Sequence, residues 1–119
     1  MIYKELSDNE RENVNANIKD FAEDEKTLNL LSSIFKVLGD PTRLKIIYAL
    51  SQSPLCVTDI SNMLEMSQSS ISHQLALLRN KELIKVDRIG RKAIYSLDDE
   101  HVISLFKEGY EHAEHKQKE

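Results

Sequence analysis

Between Val57 and Leu97 the local signals follow an order that few folds can satisfy. Val57-Thr58-Asp59-Ile60-Ser61-Asn62-Met63-Leu64 reads as a short helix with Ile60 and Leu64 one turn apart. Glu65-Met66-Ser67 leaves only a tight connection, and Ser67 is a good cap for a second helix in which Ile71, Leu75 and Leu78, with Ala76 nearby, point inward. Leu83 to Arg88 and Lys92 to Leu97 then alternate apolar and polar residues, with Ile89-Gly90-Arg91 between them, which predicts a β-hairpin. Two short helices joined by about three residues form a helix-turn-helix. With a basic hairpin directly behind them, the pattern is a winged helix-turn-helix. An ordinary hairpin with solvated charges is the alternative; the position after the two-helix unit, inside the one basic stretch of the chain, favours the wing.

The rest of the chain agrees with a mainly helical domain carrying one hairpin. Its 119 residues include only three Gly and two Pro, so helices meet few breaks. Leu28, Leu31, Ile34, Phe35 and Leu38 keep the helical period up to Gly39, which predicts a stop. Asp40 and Pro41 restart a helix at once as N-cap and first-turn residue, and Leu44, Ile47, Tyr48 and Leu50 are expected to be its apolar face. A last helix runs from Asp98 to about His115 with a stripe of Val102, Leu105, Phe106, Tyr110 and Ala113. Residues 1–27 form a polar arm whose stripe of Val14, Ile18, Phe21 and Ala22 is too narrow for a core and is best satisfied by another helix or chain. The first ten residues are expected to lack structure. The winged helix-turn-helix domain, including the last helix, then spans 28–119.

No apolar run approaches the ~20 residues that span a bilayer, and the first residues do not resemble a signal peptide. One cysteine, Cys56, makes no internal disulfide and is expected to be a small buried packing residue. A cytoplasmic protein is the expectation.

A formal net charge of −4 disfavours nucleic acid when taken alone. Its distribution reverses that. Residues 67–97 carry Arg79, Lys81, Lys85, Arg88, Arg91 and Lys92 against Glu82 and Asp87, while the two ends of the chain are acidic. The second helix shows Gln68, Ser69, Ser72, His73 and Gln74 near its start, side chains suited to base edges and phosphates. The expected DNA contacts are Ser67, Gln68, Ser69, Ser72 and His73 on the helix, and Arg88, Arg91 and Lys92 on the hairpin.

Three of the four histidines fall in the last segment: His101, His112 and His115, with Asp99 two residues before the first. His112 and His115 share a helical face and can bind one ion together. Asp99 and His101 converge only if Asp99 sits at or before the helix start. His101 and His112 face within roughly 20° of each other but lie about 16 Å apart along the axis. One ion with bonds of about 2 Å cannot join them within a single straight helix. Two chains packed antiparallel would place Asp99 and His101 of one beside His112 and His115 of the other, giving two symmetric N3O sites that suit Zn(II) or Co(II). Solvent-facing histidines on an acidic helix are the alternative.

Val37-Leu38-Gly39-Asp40-Pro41-Thr42-Arg43, continued by Leu44-Lys45-Ile46-Ile47, resembles the ArsR/SmtB family of bacterial metal-sensing repressors. Ser67 to Leu75 resembles its recognition helix and Arg91 to Leu97 its wing. Asp99, His101, His112 and His115 match the C-terminal-helix site of its zinc- and cobalt-sensing, CzrA-like branch in type and spacing. The resemblance covers roughly residues 28–115. It implies a homodimer held by the first and last helices, and an apo form that binds double-stranded operator DNA. Zn(II), or Co(II), then acts as the effector that lowers DNA affinity and releases an efflux or detoxification gene. It also implies coupling through the second ring nitrogen of His112 toward the recognition helix. The arsenic-, cadmium- and lead-sensing members use a Cys-Val-Cys run, whereas Cys56 is followed here by Val57 and Thr58. Four protein ligands leave no open metal position for a hydrolytic enzyme. The remaining alternative is a winged-helix regulator that answers a different inducer, or none, with histidines unused for metal.

Overall fold

In this computed structural model, which describes residues 2–118, every helix start but that of the fourth helix carries a side-chain cap. The elements are α1 (Asp8–Glu23), α2 (Glu25–Leu38), α3 (Pro41–Gln52), α4 (Val57–Leu64), α5 (Gln68–Asn80), β1 (Ile84–Ile89), β2 (Lys92–Leu97) and α6 (Glu100–Gln117). They fall into two units that divide between Phe35 and Lys36, inside α2.

The first unit holds α1 and most of α2. Ser7 and Glu10 form a capping box: the Ser7 hydroxyl accepts from the Glu10 N–H at 3.2 Å, and the Glu10 carboxylate accepts from the Ser7 N–H at 3.1 Å. The Ser7 backbone N–H, with the Ser7 hydroxyl adding to it, holds the Glu10 carboxyl below its usual range. The helix thus begins at Asp8, so the expectation of ten unstructured residues fails from there on. Asp24 ends α1, and its carboxylate accepts from the Thr27 N–H at 3.2 Å to start α2. Neither helix has a buried residue.

In the second unit, Asp40 is extended at φ −134°, as a residue before proline prefers, and this ends α2 without a left-handed glycine at position 39. The Asp40 carboxylate caps α3 by accepting from the Arg43 N–H at 3.0 Å. Buried side chains from every later element meet in one core: Ile46, Ile47 and Leu50 of α3, Ile60 of α4, Ile71, Leu75 and Leu78 of α5, Ile84 of β1, Leu97 of β2 and Val102 of α6. Cys56 and Leu83 join them from the connections. The expected face of α3 needs correction. Ile46 is fully buried, whereas Leu44 and Tyr48 are exposed. Tyr48 instead packs beside Phe106 and Tyr110 of α6 with ring centroids 6.2 Å away, so an aromatic cluster ties α3 to α6.

Strands β1 and β2 pair antiparallel from Ile84↔Leu97 to Ile89↔Lys92, leaving Gly90 and Arg91 as the turn. Gly90 has φ +64° and Arg91 does not, which is the φ signature of a type II′ hairpin turn. The other edge of β2 is covered where Leu55 and Tyr95 exchange two backbone hydrogen bonds of 3.0 and 2.8 Å. That bridge fastens the hairpin to the segment between α3 and α4.

Candidate DNA interface and metal site

The turn between α4 and α5 sets how α5 is presented. Glu65 is left-handed at φ 55°, ψ 48°, and the Met66 N–H returns to the Ser61 carbonyl at 3.0 Å in a Schellman-type cap. The buried Ser61 hydroxyl donates to the Met66 carbonyl and closes the same turn from inside. Ser67 then caps α5, its oxygen accepting from the Ser70 N–H at 3.1 Å.

With Ile71, Leu75 and Leu78 turned into the core, the opposite face of α5 is left to solvent. Ser67, Gln68, Ser69, Ser72 and His73 are all exposed there, as are Arg88, Arg91 and Lys92 at the end of the hairpin. These eight residues therefore lie on accessible surface of the helix and the wing. Gln74 departs from expectation. It is half-buried, and its side-chain carbonyl accepts from Arg43 Nη1 at 3.1 Å. Arg43 Nε also donates to the Val37 carbonyl in the last turn of α2.

Sequence reasoning passed over two further features. An open groove of about 500 Å³ lies between α5 and β2, lined by Ser72, Ala76, Arg79, Asn80, Glu82 and Tyr95. Arg79 stood out only as part of the basic stretch, though its place one and two turns beyond Ala76 and Ser72 on the helix could have marked it. Ile89 is 65% exposed beside the wing's cations, an apolar side chain at a hairpin tip.

The metal candidates sit on α6. Asp99 is its N-cap, extended at φ −151°, with Oδ1 accepting from the Val102 N–H at 3.1 Å. This bond is the main reason the Asp99 carboxyl is held below its usual range, with His101 adding to it. Because Asp99 lies just outside the helix, its Oδ1 comes within 3.6 Å of His101 Nδ1 despite the two-residue spacing. That separation is too long for a hydrogen bond. It matches the edge of a tetrahedron of donors around zinc, roughly 3.3–3.6 Å for bonds of about 2.0–2.2 Å. The His101 side chain is 97% exposed. His112 and His115 are exposed one turn apart near the other end of α6. Among the described residues of one chain, no three His, Cys, Asp or Glu side chains gather into a metal-binding group. Beside them, the Tyr110 hydroxyl lies 3.4 Å from Glu114 Oε2, and that carboxylate pushes the phenol's pKa up.

Cys56 is buried at the start of α4, and its thiol lies 3.3 Å from Asp59 Oδ2. No helix among the described residues is long and apolar enough to cross a membrane.

Comparison with known proteins agrees with this architecture. Residues 40–86 match the model for the bacterial regulatory protein, arsR family. The chain is 45% identical over 85 residues to the HTH-type transcriptional regulator NmtR of Mycobacterium tuberculosis, covering 71% of each. It is 43% identical over 83 residues to the cadmium resistance transcriptional regulatory protein CadC homologue of Staphylococcus aureus, covering 69% of each. It is 42% identical to the transcriptional repressor SmtB homologue of Synechocystis sp., covering 69% of this chain and 62% of that protein. Among solved structures, apo-NmtR superposes with a TM-score of 0.67 at 42% identity over 77% of each chain. A homodimeric winged helix-turn-helix DNA-binding domain from Mycobacterium bovis gives 0.75 at 25% identity, over 78% of this chain and 86% of that one. The chain belongs to the arsR family of bacterial regulatory proteins, DNA-binding transcriptional regulators of the winged helix-turn-helix type.

Proposed function

We propose that this chain is a metal-responsive transcriptional repressor working as a homodimer in the cytoplasm. Its apo form binds an operator in double-stranded DNA, and Zn(II), with Co(II) as the second choice, lowers that affinity and frees an efflux or detoxification gene. The observation that carries this reading is the 3.6 Å approach of Asp99 and His101 at the head of α6, with His112 and His115 near the other end of the same helix. Each pair is half of a tetrahedral N3O set, and the length of α6 keeps the halves apart within one chain. An antiparallel α6 pair from two chains would bring them together as two equivalent sites. An ion held by these residues would supply a fixed double positive charge between the two α6 helices. This chain's residues supply three imidazoles and one carboxylate.

On the DNA side, Ser67, Gln68, Ser69, Ser72 and His73 contact the major groove, and Arg88, Arg91 and Lys92 contact the backbone beside it. Relatives named for cadmium and arsenical resistance and for transcriptional repression support this class of regulator. Cys56 takes no part in the metal site, its thiol being buried against Asp59 at the start of α4.

The test is fluorescence anisotropy on a duplex that the chelated protein enriches from a random pool. Zn(II) should weaken binding and a chelator should restore it. Substituting Asp99→Asn with His101→Ala should abolish the zinc response and leave apo binding intact. Binding that no metal changes would overturn the metal-response reading in favour of another inducer, and a double variant that still responds would overturn the ligand assignment.

A further inference from the structure

Arg43 stands where no metal or DNA contact has been assigned, yet its side chain makes a polar tie between distant parts of the second unit. Nη1 donates 3.1 Å to Gln74 Oε1, across 31 residues of sequence, and Nε donates to the Val37 carbonyl. One rigid, always-charged plane therefore grips the end of α2 and the middle of α5 at once. Both Arg43 and Gln74 are half-buried, so the bond between them is partly shielded from competing water. Gln74 directly follows His73 and lies two residues after Ser72, on the flank of α5 between its buried and exposed faces. The apolar contacts of Ile71, Leu75 and Leu78 fix how deep α5 sits. Such contacts are non-directional and resist rolling of a helix about its own axis only weakly. A charge-assisted hydrogen bond on the flank is directional and resists that roll.

We propose that Arg43 is a positioning residue for DNA recognition: through Gln74 it sets the rotation of α5, and with it the angle at which Ser69, Ser72 and His73 meet base edges. The inference rests on the DNA-reading function proposed above. Base-edge hydrogen bonds tolerate little angular error, whereas phosphate contacts follow charge over longer range. Releasing the strut should thus weaken binding to the preferred sequence and leave general affinity for DNA alone. Lysine at position 43 presents a point charge instead of a fork, and cannot hold Val37 and Gln74 in the same geometry.

The experiment uses the full chain, freed of metal with a chelator, and two duplexes: one enriched by the wild-type protein from a random pool, and a scrambled control. Affinities are measured over a range of salt for Arg43→Met, Gln74→Met and the double variant, with thermal melting in parallel. Each single variant should lose about tenfold on the enriched duplex, the size of one charge-assisted hydrogen bond. The double variant should lose no more than Arg43→Met alone, and the control affinity and salt slope should not move. Losses that multiply, or single variants that bind like wild type, overturn the strut. A salt slope that falls by about one in Arg43→Met also overturns it, because Arg43 would then be neutralising a phosphate. If Arg43→Met does not fold, Arg43→Lys takes its place in the same cycle, with the same expectations. A wild-type protein that enriches no sequence overturns the DNA-reading function itself, and the strut with it.

Discussion

Helices α1 and α5 are of similar length, 16 and 13 residues, and both carry an apolar stripe, but only one is finished within the chain. In α5, Ile71, Leu75 and Leu78 are fully buried against α3, α4 and the hairpin. In α1, Ile18 is 60% exposed and Phe21 54% exposed, and no residue is buried. The last helix, α6, shares that condition over most of its 18 residues: Val102 is buried, while Ile103, Leu105 and Tyr110 remain open. The difference separates two kinds of sequence information. The part from α3 to β2 carries what one chain needs to fold and to present a DNA-reading face. The helices at either end carry apolar stripes that are left exposed, the property expected of assembly surfaces.

The largest effect should come from testing that division directly. Leu75→Ala removes a fully buried side chain and should lower unfolding stability by about 2–5 kcal/mol at any protein concentration. Phe21→Ala should cost little in dilute protein and show its effect only as a lower, concentration-dependent melting temperature in denaturation series. Equal losses for both variants at high dilution would break the comparison.

Asp99 comes next, because it serves the apo helix and the proposed metal site at once. Asparagine caps helices as well as aspartate does, so Asp99→Asn should keep the circular dichroism of α6 while weakening zinc at least about tenfold in a chelator competition. Asp99→Ala should lose both. The Val102 N–H holds the Asp99 carboxyl low, so its cap is complete at neutral pH, above the unfolded-state value. That contribution fades only as pH falls through the depressed native value; Asp99→Asn should remove this acid limb from the stability profile.

The wing and the reading helix should also separate. Replacing Arg91 and Lys92 with Ala should weaken binding to all duplexes alike and reduce the salt slope by about 0.9 for each phosphate that is no longer neutralised. Gln68→Ala should relax sequence preference and leave the slope unchanged. The smallest effect belongs to the turn. Glu65 sits at φ 55°, where glycine meets no Cβ penalty, so Glu65→Gly should raise stability by about 0.5–1 kcal/mol in urea melts. A loss of stability there would mean that the Glu65 side chain makes contacts that outweigh the backbone strain.

The helix-turn-helix, the hairpin and their order were legible because each junction carries its own chemistry: Asp40-Pro41, the Ser67 cap and Gly90 at the turn. What escaped was decided by tertiary context. Ile46 displaced Leu44 and Tyr48 from the core because helical period alone does not say which arc of α3 faces its neighbours. The Leu55–Tyr95 bridge pairs single residues 40 positions apart, with no local signature. Gln74 looked like its polar neighbours until Arg43 captured it. The Ser7–Glu10 capping box, by contrast, was readable in the sequence and was overshadowed by the polarity around it. The convergence of Asp99 and His101 hinged on whether Asp99 stood inside or outside the helix, which one cap hydrogen bond settles.

The central claim is that two chains finish each other at their last helices, with each metal site shared between them. Mixing two metal-dead variants tests it most directly. One chain carries Asp99→Asn and His101→Ala, and the other His112→Ala and His115→Ala; the two are unfolded together, refolded, and titrated with zinc. Each variant alone should bind no zinc tightly, while the mixture should recover one site per mixed dimer. A mixture that stays as empty as its parents, or either variant binding zinc tightly alone, would contradict the shared site.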